Sequence, residues 1–423
     1  MLQSSLQGWW TRPSSTFSEN RHIFAHDFPR FRHRLIVELG VFFMKRCLVA
    51  LFIMLCLLPA HPVRAEELRL ETPLIGAALM DAGGKTILHD LYADAPFDVA
   101  GLTKFPAILT LAQAFDEGMI RPETEMHVSR RAADISGPTA FLEEGETIAA
   151  SELIKAAIMI SAGDAILTLG ENAFGSESVF IENINATLRL CGIDRTMTDA
   201  CGNGMQFSAK ELALLGCMAL KSDTFQKYCL LYRDMVRHPD GRETELVNAN
   251  RMIRSYTGCK GLVTGSSGTS TYCGVFAAER SGTAFVAVVI GAETANDRFA
   301  AAETMLNHGF ANYVSKELCK AGTVFAEGVA VQDGTERRVN LVAGEDVRLL
   351  LPKAAEQQLQ QTLNVPDLLV APIDPAAALG SIDFTDASGS TIASVPLYAD
   401  REVLAFGWKD IFSAIIGSFL GGA

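Results

Sequence analysis

Apolar residues recur with two periods along the first three-quarters of this chain. Ala77–Asp81 and Thr86–His89 predict two short strands around Gly83 and Gly84, a pair suited to the positive φ angles of a tight hairpin. Ile108, Leu109, Leu111, Ala112 and Phe115 then recur at helical spacing. They predict a largely buried helix with Lys104 in its first turns, where Pro106 is tolerated because no N–H is needed there. Ser151 is placed to cap a helix over Glu152 to Ile160, with Leu153, Ile154, Ala157 and Ile158 on its apolar face. That helix should end at Ser161–Ala165, and a second apolar helix should run on through Leu169. Tyr272–Ala278 and Thr283–Gly291 are continuous β-rich apolar runs separated by the turn signal Glu279-Arg280-Ser281-Gly282. They predict neighbouring core strands of an antiparallel sheet.

The texture changes after Cys319. Residues 323–400 are short alternating segments punctuated by Pro352, Pro366, Pro372, Pro375 and Pro396, which predicts a small all-β domain after an α+β domain over 66–322. In the last stretch, 401–423, Trp408, Ile411, Phe412, Ile415 and Phe419 share one helical face. This predicts an amphipathic helix that lies on a membrane surface and is too short to span one. At the other end, the basic start Met44-Lys45-Arg46, the apolar run Leu48–Leu58 and Val63-Arg64-Ala65 have the pattern of a signal peptide over 44–65, cleaved after Ala65. Residues 1–43 carry no domain-like pattern and read as an extension upstream of a second start at Met44.

Composition narrows the partners. The chain has 423 residues and is 49% hydrophobic, enough for two cored domains. Removing residues 1–65 takes away eight of the 36 basic residues and three of the 49 acidic ones, leaving 28 − 46 = −18. Such a body repels phosphate backbones, so nucleic acid is not an expected partner. Seven cysteines remain after residue 65, with no Cys-x-x-Cys pair and no other sign of a metal or cofactor site. An exported chain can oxidise them; Cys259 with Cys273 is the favoured disulfide, and buried free thiols are the alternative. The loop Gly265-Ser266-Ser267-Gly268 lacks the Lys-Ser/Thr of a phosphate cradle. Glu143, Glu144 and Glu146 read as a solvated turn, and His127, His238 and His308 have no partner visible in sequence, so no triad is assembled from them.

The turn around Asp98–Lys104, the elbow Ser161-Ala162-Gly163, and the succession Asn248-Ala249-Asn250-Arg251 followed by Gly261-Leu262-Val263-Thr264-Gly265 and a hairpin carry a family resemblance. Their order resembles the serine D-Ala-D-Ala carboxypeptidases of peptidase family S11, the low-molecular-mass penicillin-binding proteins. The resemblance covers roughly residues 67–400. It implies a β-lactamase/transpeptidase-like antiparallel sheet with helices, followed by the all-β domain, and three functional motifs: Ser-x-x-Lys, Ser-x-Asn and Lys-Thr-Gly. At the corresponding positions this chain has Gly101 with Lys104, Ser161 with Gly163, and Val263 with Thr264 and Gly265.

Serine acyl transfer needs a hydroxyl to attack, a base to take its proton and donors for the oxyanion. Gly101 offers only its N–H, glycine at 163 has no amide to hold a substrate peptide, and Val263 replaces a charge near the substrate carboxylate with apolar surface. Thr103 is expected to face away from Lys104 and to serve packing. Lys104 alone would be an ordinary first-turn lysine, and Ser161 alone a helix end. Taken together, the resemblance and its departures imply a non-catalytic envelope protein that binds peptidoglycan peptides or a cell-wall enzyme. It would be exported to the periplasm or to the extracytoplasmic face of the cytoplasmic membrane. The alternative is an active carboxypeptidase on peptidoglycan stem peptides, using another nucleophile such as Ser161 or Ser266 with Lys104.

Overall fold

The computed structural model describes residues 68–267, 271–354 and 359–407, together with Phe412 and Ile416. The extension and signal peptide expected over 1–65 lie outside the described residues, as do Trp408, Ile411, Ile415 and Phe419 of the expected terminal helix. Phe412 and Ile416 are helical and exposed. Among the described residues no helix is long and apolar enough to cross a membrane.

A six-stranded sheet divides the first domain. Its path runs Thr264–Ser267, Thr271–Arg280, Thr283–Ala292, Gly76–Asp81, Ile87–Leu91, and Cys259–Gly261 pairs beside it with Thr271–Arg280. The two long strands are antiparallel, with Ala278 opposite Phe285 and Val275 opposite Val288. Their apolar runs are continuous because both faces are covered. Val275, Val286, Val288 and Ile290 face a core built with the helices Phe105–Asp116, Ala150–Ile160, Gly163–Phe174 and Ala209–Ala219. Phe276, Phe285, Ala287 and Val289 face Phe299, Met305 and Leu306 of the helix Ala295–Asn312. Each such aromatic or branched side chain contributes about 1.5–3 kcal/mol on burial.

Several local expectations need correction. The turn between the first two strands is not a two-glycine hairpin: Asp81 N–H donates to Thr86 O at 2.9 Å, the Asp81 carboxylate accepts from Gly84 N–H, and the positive φ falls on Lys85. Ser151 caps nothing. The helix starts at Ala150, and its free N–H groups at Ala150 and Ser151 donate to the carbonyls of Thr124 and Pro122 on an adjacent segment, so no side-chain cap is required. All seven cysteines from Cys191 onward are free. Cys273 packs in the helical-side core and Cys259 on the other face of the sheet, so the sheet itself separates the pair expected to form a disulfide.

Glu146 and His238 depart most from the solvated, partnerless reading. Their side chains are 6% and 0% exposed, with Nδ1 2.6 Å from a Glu146 oxygen and Nε2 2.9 Å from Thr244 Oγ1. Arg242 adds a second contact to Glu146. These bonds tie the hairpin Arg233–Arg237/Glu243–Val247 to the loop ahead of the helix Ala150–Ile160. The partners are 92 residues apart, so only the tertiary fold joins them.

Strand pairing after the long helix begins at Tyr313, before the expected 323: Tyr313–Cys319 pairs with Val347–Pro352. A second six-stranded sheet follows, with a core of Val339, Leu341, Ile382, Phe384, Val395 and Leu397. The first domain is thus mixed helix and sheet, and the second all-β.

Glu146→Ala should remove charge-assisted bonds from a buried His and an Arg and lower stability by about 1.5–3 kcal/mol. Urea unfolding measures the loss, and amide exchange should quicken first within Arg233–Val247.

Candidate functional site

Where the sheet edge meets the helices, a groove of about 610 Å³ opens. Gly101, Lys104, Ser161, Val263, Thr264 and Gly265 all line it. Six of the seven residues singled out from sequence therefore converge on one cavity. Gly163 lies just off the lining.

The turn into the first helix is made by Ala100, not by Gly101. Ala100 has φ +53, and its N–H is held by Asp98 Oδ1 at 2.9 Å. A 3₁₀ turn over Ala100–Lys104 then feeds the helix Phe105–Asp116, with Pro106 in its first turn. Gly101 does not have a left-handed backbone, and a Cβ there would meet only Gly265 Cα, at an ordinary 3.6 Å. Neither space nor conformation requires glycine at 101.

Gly265 is different. A Cβ on it would stand 2.9 Å from both Gly101 N and Leu102 N, so glycine is what lets the edge strand lie against this turn. Gly163 is not open space either: Lys104 Nζ and Ile135 Cδ1 are each 3.1 Å from where its Cβ would be. A side chain would therefore be accommodated at 101 without a shift, and at 163 only if Lys104 or Ile135 gave way.

Lys104 is buried, and its Nζ donates to the Ser161 carbonyl at 3.0 Å. Among the described residues it bonds no side-chain hydroxyl. Ser161 ends its helix in the left-handed conformation, φ +55, which turns that carbonyl toward the lysine. Burial lowers the Lys104 pKa, opposed by Cys201, Asp164 and Asp199. Asp164 is also buried, and its carboxylate accepts from the N–H groups of Ala140, Leu142 and Ala165 at 2.8–3.1 Å. It fixes the loop whose Ser136, Gly137 and Pro138 form one wall. Thr103, expected only to pack, lines the groove and donates to the Cys201 carbonyl at 3.0 Å. Cys201 also lines it, and burial pushes the pKa of its thiol up to about 11, so it is no ready thiolate.

Val263 is almost wholly buried and exchanges backbone hydrogen bonds with Val275. Sequence reasoning missed Arg298. From the first turn of the helix Ala295–Asn312 its Nη1 donates to the carbonyls of Gly265 and Cys273 at 3.1 and 3.0 Å, and it lines the groove. Burial lowers its pKa to about 10, so it remains charged at neutral pH. An arginine preceding Phe299, Ala302 and Met305 on a buried helical face was the available signal. It places a guanidinium on the groove lining in addition to the Lys104 amine, behind the strand on which Val263 stands in place of a cation. Asn248, also on the lining, is structural: its side chain donates to the carbonyls of Cys229 and Leu231.

This architecture and groove are those of a penicillin-binding fold, with a mixed first domain and an all-β second one. Residues 71–294 match the D-alanyl-D-alanine carboxypeptidase family (Peptidase_S11), and the chain belongs to it. Residues 313–405 match the C-terminal domain of penicillin-binding protein 5. The chain is 27% identical over 389 residues to the D-alanyl-D-alanine carboxypeptidase DacF of Bacillus subtilis (strain 168), covering 89% of this chain and 99% of that one. It is 29% identical over 363 residues to DacC of Escherichia coli (strain K12), covering 80% and 87%. Penicillin-binding protein 5 from Haemophilus influenzae superposes with a TM-score of 0.70 at 22% identity, over 79% of this chain and 98% of that one, which is a likeness of fold.

The lowered Lys104 pKa has a testable sign. Between the folded pKa and the usual 10.5 the unfolded chain binds more protons, so the stability of the natural protein rises with pH there. Lys104→Met lacks this term. The stability difference, natural protein minus Lys104→Met, should grow from pH 7 to pH 10.5 in urea titrations; a flat difference would mean that the amine is not desolvated.

Proposed function

We propose that this chain is a non-catalytic member of the carboxypeptidase family that binds peptidoglycan peptides, or a cell-wall enzyme, in the groove. The observation that carries this reading is position 101: the turn, the buried lysine and the edge strand are all in place, and the residue between them has no side chain. In the resembled motif that position bears the attacking hydroxyl. Gly163 and Val263 support the reading, since neither the amide nor the cation of the other two motifs is present. Lys104 bonded to a carbonyl rather than a hydroxyl supports it as well, because no proton acceptor is then aimed at a nucleophile.

An extended peptide would pair its backbone with the strand Thr264–Ser267, with Val263 giving little grip on a terminal carboxylate and Arg298 a partial one. We place the protein, by its signal-like leader and amphipathic C-terminus, on the extracytoplasmic face of the cytoplasmic membrane.

The test is covalent labelling. The natural protein should show no acylation by a fluorescent penicillin, and Gly101→Ser, whose side chain meets nothing closer than 3.6 Å at Cβ, should fold normally and become labelled. Release of D-alanine by that single variant should stay low, because positions 163 and 263 still lack the family's substrate-holding groups. Stoichiometric labelling of the natural protein, traced to Ser161, Ser266 or another residue, would overturn this reading in favour of an active carboxypeptidase with a different nucleophile.

A second outcome concerns the membrane. The chain truncated after Gly407, which keeps the buried Val403 of the β domain, should lose sedimentation with lipid vesicles, since burying several of Trp408, Ile411, Phe412, Ile415 and Phe419 at about 1.5–3 kcal/mol each drives attachment. Equal sedimentation of both forms would refute the anchor.

A further inference from the structure

A second cavity, of about 520 Å³, opens beside the groove and is lined by Tyr232, Arg251, Arg254, Ser255 and Glu303. The same two segments wall both spaces. Val247, Asn248 and Ala249 line the groove and Arg251 follows them; Ala295 and Phe299 line the groove and Glu303 lies one turn further along their helix.

Its two arginines are held in place without being neutralised. The Arg254 guanidinium lies 4.4 Å from the centre of the Tyr232 ring. That of Arg251 lies 4.5 Å from the centre of Phe299, and its Nη1 donates to Asn296 Oδ1 at 2.6 Å. Among the described residues neither forms an ion pair within 4.0 Å. Arg233, Arg237 and Arg242, on the neighbouring hairpin, each have a carboxylate partner. What sets Arg251 and Arg254 apart is that both line one cavity with their guanidinium groups steadied on rings, so their charge is available to an anion that enters it.

We propose that this cavity binds a carboxylate carried on a side branch of a peptide whose backbone lies in the groove, which rests on the peptide-binding reading above. Planar guanidinium groups take a carboxylate through two parallel N–H donors, and stacking on Tyr232 and Phe299 reduces the freedom lost in doing so. Glu303 on the same lining opposes a second negative charge close to the first, so the site favours a carboxylate over a phosphate.

The full chain is titrated first with N-acetylalanine and then with inorganic phosphate, following the arginine Nε–Hε resonances by NMR. Saturable shifts of Arg251 and Arg254 are expected with the carboxylate, weaker with phosphate, and absent in Arg251→Gln/Arg254→Gln. No saturable shift, or tighter binding of phosphate, would overturn the assignment. Calorimetry then compares two peptides that differ only by a branch carboxylate or carboxamide. The natural protein should prefer the acid by about tenfold, the worth of one net charge-assisted contact, and the double variant should bind both as the natural protein binds the amide. Equal affinities in the natural protein sink the branch site and leave groove binding standing. If neither peptide binds while N-acetylalanine still shifts the arginines, the carboxylate site stands and the groove reading fails.

Discussion

The edge strand Thr264–Ser267 runs close enough to the 3₁₀ turn at Gly101 and Leu102 that a single methylene-sized group at 265 would collide with two backbone nitrogens. This approach joins the sheet to the helical half of the first domain. Arg298 holds it from behind by donating to the carbonyls of Gly265 and its strand neighbour Cys273. Because the strand closes one side, Lys104 is shut into the floor of the groove, and its amine must find a partner inside. Ser161 supplies one by ending its helix in a left-handed turn. The groove, the desolvated lysine and the edge available for pairing all follow from that contact.

The electrostatics of the site follow from burial. An amine and a guanidinium buried in one cavity each have their pKa lowered, chiefly by burial, and each is retained through backbone carbonyls rather than ion pairs. Asp164, close enough to raise the Lys104 pKa, spends its carboxylate on three backbone N–H groups and so shapes the opposite wall. Both walls and the floor of the groove are fixed in this way. They surround a position at which the chain carries no side chain, although no steric or conformational demand calls for glycine there. The contrast with Gly265, where glycine is required, separates a residue kept for packing from one that packing leaves free.

The hairpin Arg233–Arg237/Glu243–Val247 reaches the site through its far end. The hairpin Arg233–Val247 is pinned by Glu146 and His238, and its far end leads into Val247–Ala249 on the groove lining. The pinned hairpin thus ends in a residue, Val247, that forms part of the groove wall.

By itself the sequence determined the long apolar strands, the helical face around Ile108 and Leu111 and the β texture after Cys319. Each of these is written in neighbouring residues whose period or spacing has one structural meaning. It also held the identities at 101, 163 and 263, since an absent side chain is legible without coordinates. Only the tertiary structure decided which glycine is required, because that depends on what lies across the gap: Gly265 faces two nitrogens, Gly163 faces Lys104, and Gly101 faces an ordinary contact. The same holds for the helix start near Ser151, satisfied by carbonyls from another segment, and for Cys259 and Cys273, set on opposite faces of a sheet. Glu146 with His238, and Arg298 with Gly265, are pairs distant along the chain, and burial gives each partner a role that its own neighbours in sequence do not specify.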